Sequence, residues 1–206
     1  MTTATEAAPA DHNMPAGEGD NVRRTEAWVE HDSHQFYTVT YEPTDQPVKA
    51  TVTFIHGIGE HIDRYDYLMR VFARAGLRSH GYDQRGFGKT GQRNGVLGDS
   101  EGFEKVLDDV VAANERVRID GLPHFLYGHS MGGLIVLSYG VLRNAQHPVT
   151  GIVSTGPAIH PDKSVRPGIL KRSSLSLVAR LLPSFQIEMH LDHHRGLTDM
   201  CTAMHH

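Results

Sequence analysis

Residues 124–133 read His124-Phe125-Leu126-Tyr127-Gly128-His129-Ser130-Met131-Gly132-Gly133, and the fold turns on how this stretch bends. The run 124–127 is short, apolar and aromatic, the signature of a strand. Residues 131–143 are apolar nearly all round, which predicts a helix buried on several sides. Between them Gly128-His129-Ser130-Met131-Gly132 fits Gly-x-Ser-x-Gly. Without its flanks that pentapeptide is a weak signal, a glycine-rich turn with an incidental serine. Placed between strand and helix, it reads as a nucleophile elbow, whose strained turn lifts a serine hydroxyl above the sheet. Gly128 and Gly132 let strand and helix approach closely. The Met131 amide falls at the helix N-terminus, where an unpaired donor and the helix dipole both favour a developing oxyanion.

Working upstream, residues 48–55 form a buried strand that runs into His56-Gly57-Ile58-Gly59-Glu60-His61. Two glycines allow a tight fold that presents an amide, that of Ile58, as a second oxyanion donor. His56 and Glu60 read as braces of this loop rather than proton carriers. A strand at 35–41 precedes, and the turn 43–47 leads to the expectation that 35–41 and 48–55 pair as a hairpin or meander. A helical stripe covers 65–75 and stops at Gly76. A strand at 77–82 enters the polar turn 83–90, where Asp83 and Arg85 are expected to hold neighbouring loops as scaffold. The clearest helix covers 101–119, with Phe103, Val106, Leu107, Val110, Val111, Ala113 and Val117 on one face. A last strand follows at 151–155. Antiparallel strands followed by repeated β-α units predict an α/β fold with a mostly parallel sheet covered by helices.

The chain has 206 residues, 39% of them hydrophobic and 21% charged, with a formal net charge of -4. Neither that balance nor any local basic run points to nucleic acid. The single cysteine, Cys201, excludes an intrachain disulfide and is compatible with a reducing compartment. No run is long and apolar enough for a membrane span, and no secretory signal is legible, so a cytoplasmic protein is expected. Fifteen histidines invite a metal reading. They are scattered, however, without His-Glu-x-x-His or Cys/His ligand spacing, so no metal or cofactor is expected. The densest group, His190, His193, His194, His205 and His206, reads as part of an irregular tail. The domain expectation is a disordered leader over 1–25, an α/β core over 26–157, and a partial cap and tail over 158–206.

His-Gly-Ile-Gly-Glu-His at 56–61, Asp-Gln-Arg-Gly-Phe-Gly at 83–88 and Gly-His-Ser-Met-Gly-Gly at 128–133, in this order, resemble the monoacylglycerol lipases of the α/β-hydrolase superfamily. The likeness runs from about His34 to about Asp199. It implies an esterase that cleaves monoacylglycerols, with Ser130 as nucleophile and Ile58 and Met131 as oxyanion-hole amides. His56, Gly57, Gly59, Gly128, His129 and Gly132 support them. It also implies a cap over the acyl pocket at 158–200 and a small lipid ester as substrate. The amphipathic basic stretch 169–182 would then touch a membrane or lipid droplet. Packing against the core explains the same stripe equally well.

A serine nucleophile needs a base, and the base an orienting acid. The chain order in this fold is serine, then acid, then histidine. In the resembling family both follow strands beyond the cap, so the triad acid and base are expected to be absent from this chain, which reads as cut short. The strand at 151–155 would then form a bare parallel edge. Asp162 with His160, His190, His193 or His194 is nominally available, but none follows a recognisable strand. A lysophospholipase or peptidase on the same scaffold, and a hydrolase-like binding protein without catalysis, stand as alternatives.

Overall fold

The computed structural model describes residues 21–159. Six strands form one sheet in the order β1-β2-β4-β3-β5-β6: β1 (Val22–His31), β2 (His34–Pro43), β3 (Ala50–Ile55), β4 (Leu77–Tyr82), β5 (His124–His129) and β6 (Gly151–Thr155). β1 pairs antiparallel with β2, and β2 with β4, while β3–β4, β3–β5 and β5–β6 are all parallel. The mostly parallel sheet is therefore as expected, but the hairpin is elsewhere. β2 pairs with β1 rather than β3, from Val22↔Pro43 to His31↔His34. The two-residue loop between them holds Asp32 at φ 46° and Ser33 at φ 62°, the backbone twist that tight hairpins require. β4 lies beside β3, and β5 takes the other edge of β3. With both edges of β3 taken, β2 joins the sheet at the far edge of β4. The strand over 22–31 also replaces the last residues of the expected leader.

Alternation along β3 divides the core. Thr51, Thr53 and Ile55 face one way, Val52 and Phe54 the other. On the first side Ile55 and Leu126 pack against Val106, Leu107, Val110 and Ala113 of α3 (Phe103–Val117) and Ile135, Val136 and Tyr139 of α4 (Met131–Leu142). On the other, Val39, Val52 and Phe54 meet Met69 and Ala73 of α1 (Asp66–Arg74), with Ile62 from the 3-10 turn Ile62–Tyr65 that precedes it. Each such fully buried aliphatic side chain stabilises the fold by about 1.5–3 kcal/mol relative to exposure. α1 ends at Gly76, which takes φ 91° as a residue past a helix C-terminus commonly does.

Two elements depart from expectation. A short helix, α2 (Gly88–Asn94), occupies part of what reads as a polar turn. It completes β2 where β4 has ended: Thr90 Oγ1 accepts the Tyr37 amide at 3.0 Å, and Asn94 both accepts from the Gln35 amide and donates to its carbonyl. A helix of glycine and polar residues has no apolar stripe to announce it. α4 is buried on its sheet side only. Leu137, Val141 and Leu142 are exposed, Val141 at 83%, because among the described residues only the sheet and α3 pack against it. Likewise β6 pairs with β5 alone among them, and Val153 is exposed. Residues 1–20 of the expected leader, the expected cap beyond 159, the stretch 169–182 and the histidine-rich tail lie outside the described residues.

Candidate active site

The chain bends tightly at the end of β5. Ser130 sits at φ 53°, ψ -117° immediately before α4, a conformation that costs an L-residue of the order of 1–3 kcal/mol. Neighbouring backbone holds it there. The Ser130 amide donates to the Thr155 carbonyl at 3.0 Å, and its carbonyl accepts from the Ala158 amide at 3.1 Å and the Leu134 amide at 3.1 Å. The glycines around it have no room for side chains. A Cβ on Gly128 would meet the Gly132 carbonyl oxygen at 2.2 Å, and one on Gly132 would meet the Ile55 oxygen at 2.1 Å. β3, β5 and α4 therefore converge closely beneath the serine. The Met131 amide is the first of α4, and among the described residues it has no acceptor.

The loop after β3 passes directly over this point. A Cβ added to Gly57 would lie 3.3 Å from Ser130 Cβ, so the backbone at 57–58 runs beside the serine side chain. Gly57 is buried while the Ile58 side chain is half exposed, and Gly59 takes φ 66°. Among the described residues no hydrogen bond engages the Ile58 amide or Ser130 Oγ. His56 is fully buried. Its Nε2 accepts the Gln84 amide at 2.9 Å, which leaves the proton on Nδ1 to donate to the Gly57 carbonyl at 2.8 Å. Burial pushes its pKa down to about 4, so the ring is neutral near pH 7 and braces the loop. Glu60 braces it from the other side, accepting the Gly57 amide at 2.9 Å and the Tyr65 hydroxyl at 2.8 Å.

The turn after β4 supports the loop after β3. Asp83 Oδ1 accepts the Ile62 amide and Oδ2 the Lys89 amide, both at 2.7 Å. Arg85, 1% exposed, forms a two-pronged contact with Asp109 at 2.9 and 3.1 Å and also bonds Glu101. Burial opposes its charge, but these carboxylates outweigh it and raise its pKa above the usual arginine value. Both residues act as the scaffold that the turn's polarity implies. Sequence reasoning passed over three contributors: Gln84, Tyr65 and Thr155. Gln84 lies inside the 83–88 motif between Asp83 and Arg85, whose charge is the stronger sequence signal. His129 Nδ1 lies 3.2 Å from Thr155 Oγ1 on the neighbouring strand β6. Among the described residues no cluster of histidine, cysteine and carboxylates could hold a metal ion.

The chain is similar to known hydrolases. The profile of the family described as serine aminopeptidase, S33, matches residues 46–203. A putative monoglyceride lipase of Schizosaccharomyces pombe is 36% identical over 145 residues, covering 68% of this chain and 37% of that protein. A phospholipase of Bacillus subtilis is 30% identical over 146 residues, covering 70% and 53%. Among solved structures, a soluble variant of the Saccharomyces cerevisiae monoglyceride lipase with a substrate analog superposes with a TM-score of 0.66 at 27% identity, over 81% of this chain and 55% of that one. The chain spans about half the length, or less, of the curated relatives it matches.

Proposed function

Because this chain belongs to the serine aminopeptidase S33 family of α/β-hydrolases, we propose that it carries the nucleophilic half of a carboxylester hydrolase acting on glycerol monoesters of fatty acids. Ser130 Oγ attacks the ester carbonyl, and the Ile58 and Met131 amides take the negative charge of the tetrahedral intermediate. The intermediate collapses to an acyl-enzyme as the glycerol oxygen leaves with a proton, and water then releases the fatty acid. Proton transfer needs an imidazole and its orienting carboxylate, and we assign neither role to a described residue. No metal or cofactor enters the scheme. The observation that carries this reading is the strained Ser130 backbone at the strand–helix junction, with Gly57 packed against its Cβ. The relatives named monoglyceride lipase support the substrate class.

The test is hydrolysis of monoacylglycerols of graded chain length, alongside labelling by a fluorophosphonate. Ser130→Ala should abolish labelling and lower turnover by at least about 1000-fold. Retention of either would remove Ser130 from the mechanism. A second reading, a phospholipase or peptidase on the same site, draws support from the Bacillus relative and the family's description. Faster turnover of lysophospholipid or aminoacyl amide than of any monoacylglycerol would favour it.

A further inference from the structure

Two consecutive peptide planes run past Ser130, and side chains from separate segments hold both. The plane joining His56 to Gly57 is pinned at each end: Gln84 Nε2 donates to the His56 carbonyl at 2.7 Å, and the Gly57 amide donates to Glu60 Oε2 at 2.9 Å. The plane joining Gly57 to Ile58 is pinned at its carbonyl by His56 Nδ1 at 2.8 Å. No peptide among the described residues is cis, and in a planar trans peptide N–H and C=O point in opposite directions. Committing the Gly57 carbonyl to His56 therefore sets the direction of the Ile58 N–H, the donor left over.

Glu60 is itself fixed. The oxygen that accepts the Gly57 amide also accepts the Tyr65 hydroxyl at 2.8 Å, and Arg64 lies 3.7 Å from its other oxygen. Burial works against its charge, but the Tyr65 and Gly57 hydrogen bonds and the nearby Arg64 keep the carboxyl below its usual pKa. It is thus an ionised acceptor near neutral pH, the stronger kind. Asp83 anchors the start of the same 3-10 turn through the Ile62 amide.

We propose that Glu60 and Gln84 are positioning residues that clamp the peptide before Gly57, so that the Ile58 amide is held ready for an oxyanion formed at Ser130. Neither touches substrate; both act through the backbone. The proposal rests on the reading of Ser130 as nucleophile, and it adds the reason why a loop with two glycines does not wander. Preorganised donors cost no reorganisation at the moment of reaction, which glycines alone cannot supply.

The experiment uses the full chain labelled with 15N-glycine, as wild type, Glu60→Ala, Glu60→Gln, Gln84→Ala and Tyr65→Phe. The wild-type Gly57 amide proton, bonded to a carboxylate, should resonate downfield, move upfield in Glu60→Ala, and return most of the way in Glu60→Gln, whose amide oxygen can accept both bonds. Tyr65→Phe leaves the Gly57 bond in place and, by removing a competing donor from the shared carboxylate oxygen, should shift the Gly57 proton slightly further downfield, which serves if Glu60→Ala fails to fold. In ester hydrolysis Glu60→Ala and Gln84→Ala should lower kcat roughly 10- to 100-fold, with KM changed less than about twofold. Glu60→Gln should recover most of the loss. A Gly57 resonance indifferent to Glu60, or a defect confined to KM, overturns the clamp. If the wild type shows no turnover, as a chain lacking the triad acid and base would, the Gly57 resonance alone decides the clamp.

Discussion

Ser130 is the residue at which stability and chemistry oppose each other. Its φ of 53° and ψ of -117° are held by backbone hydrogen bonds to the Thr155 carbonyl and from the Ala158 amide, so the surrounding structure supplies what the residue's own preference does not. Replacing it with glycine should raise stability by about 1 kcal/mol, the strain relief less glycine's entropy cost, while ending turnover. Denaturant midpoints and ester assays on the same preparation check both. Gly132→Ala should do the reverse, costing about 2–3 kcal/mol through overpacking. Its new methyl would meet the Ile55 backbone oxygen, and backbone in a central strand has nowhere to move. A midpoint unchanged by Gly132→Ala would contradict the close approach of α4 to β3.

At the scale of elements, the polar layer beneath α3 sets the response to acid. His80 on β4 bonds Thr40 on β2 at 2.8 Å, and His124 on β5 bonds Thr51 on β3 at 2.7 Å. Both rings are buried, and the Nε2 of each has no partner among the described residues. Burial first, then Arg116 and His124, push His80 down to about 3; burial and Arg118 push His124 down to about 4. Folded values below the unfolded value near 6.5 mean that the unfolded chain binds more protons. The stability each neutral ring contributes is therefore complete above pH 6.5 and is lost as pH falls toward 4. The loss should reach about 2 kcal/mol per histidine by pH 5. Melting temperatures between pH 4 and 8 should fall less steeply with acid for His80→Gln and His124→Gln than for the wild type. Parallel curves would show that these rings do not control acid unfolding.

For the molecule as a whole, Arg85 ties together parts that are far apart in the chain. From the end of β4 it reaches Asp109 on α3, Glu101 before α3, and Asp32 in the β1–β2 turn at 3.1 Å, and it stacks over Phe36 at 5.5 Å. Removing one partner of a buried pair leaves an uncompensated charge. Asp109→Ala should thus cost about 3 kcal/mol, the low end of that range because two carboxylates remain. The double change Arg85→Met with Asp109→Leu should cost less than the single one. Chemical denaturation of the set decides, and a double variant worse than Asp109→Ala would contradict it.

Much of this architecture is written locally. β4 and β6 occupy the expected spans 77–82 and 151–155, β6 on a β-branched run, and α4 starts at Met131 as the elbow pattern requires. Local signals suffice there because each element is delimited by residues that restrict its own backbone. What the residues alone could not settle is adjacency: that β2 joins β1 and β4, that α2 exists, and that Gln84 meets His56 across 28 positions. Strand partners are chosen by which sheet edges remain free once the central strands have paired, and a glutamine's hydrogen bonds depend on what folding brings beside it. Neither is a property of any stretch of chain considered separately.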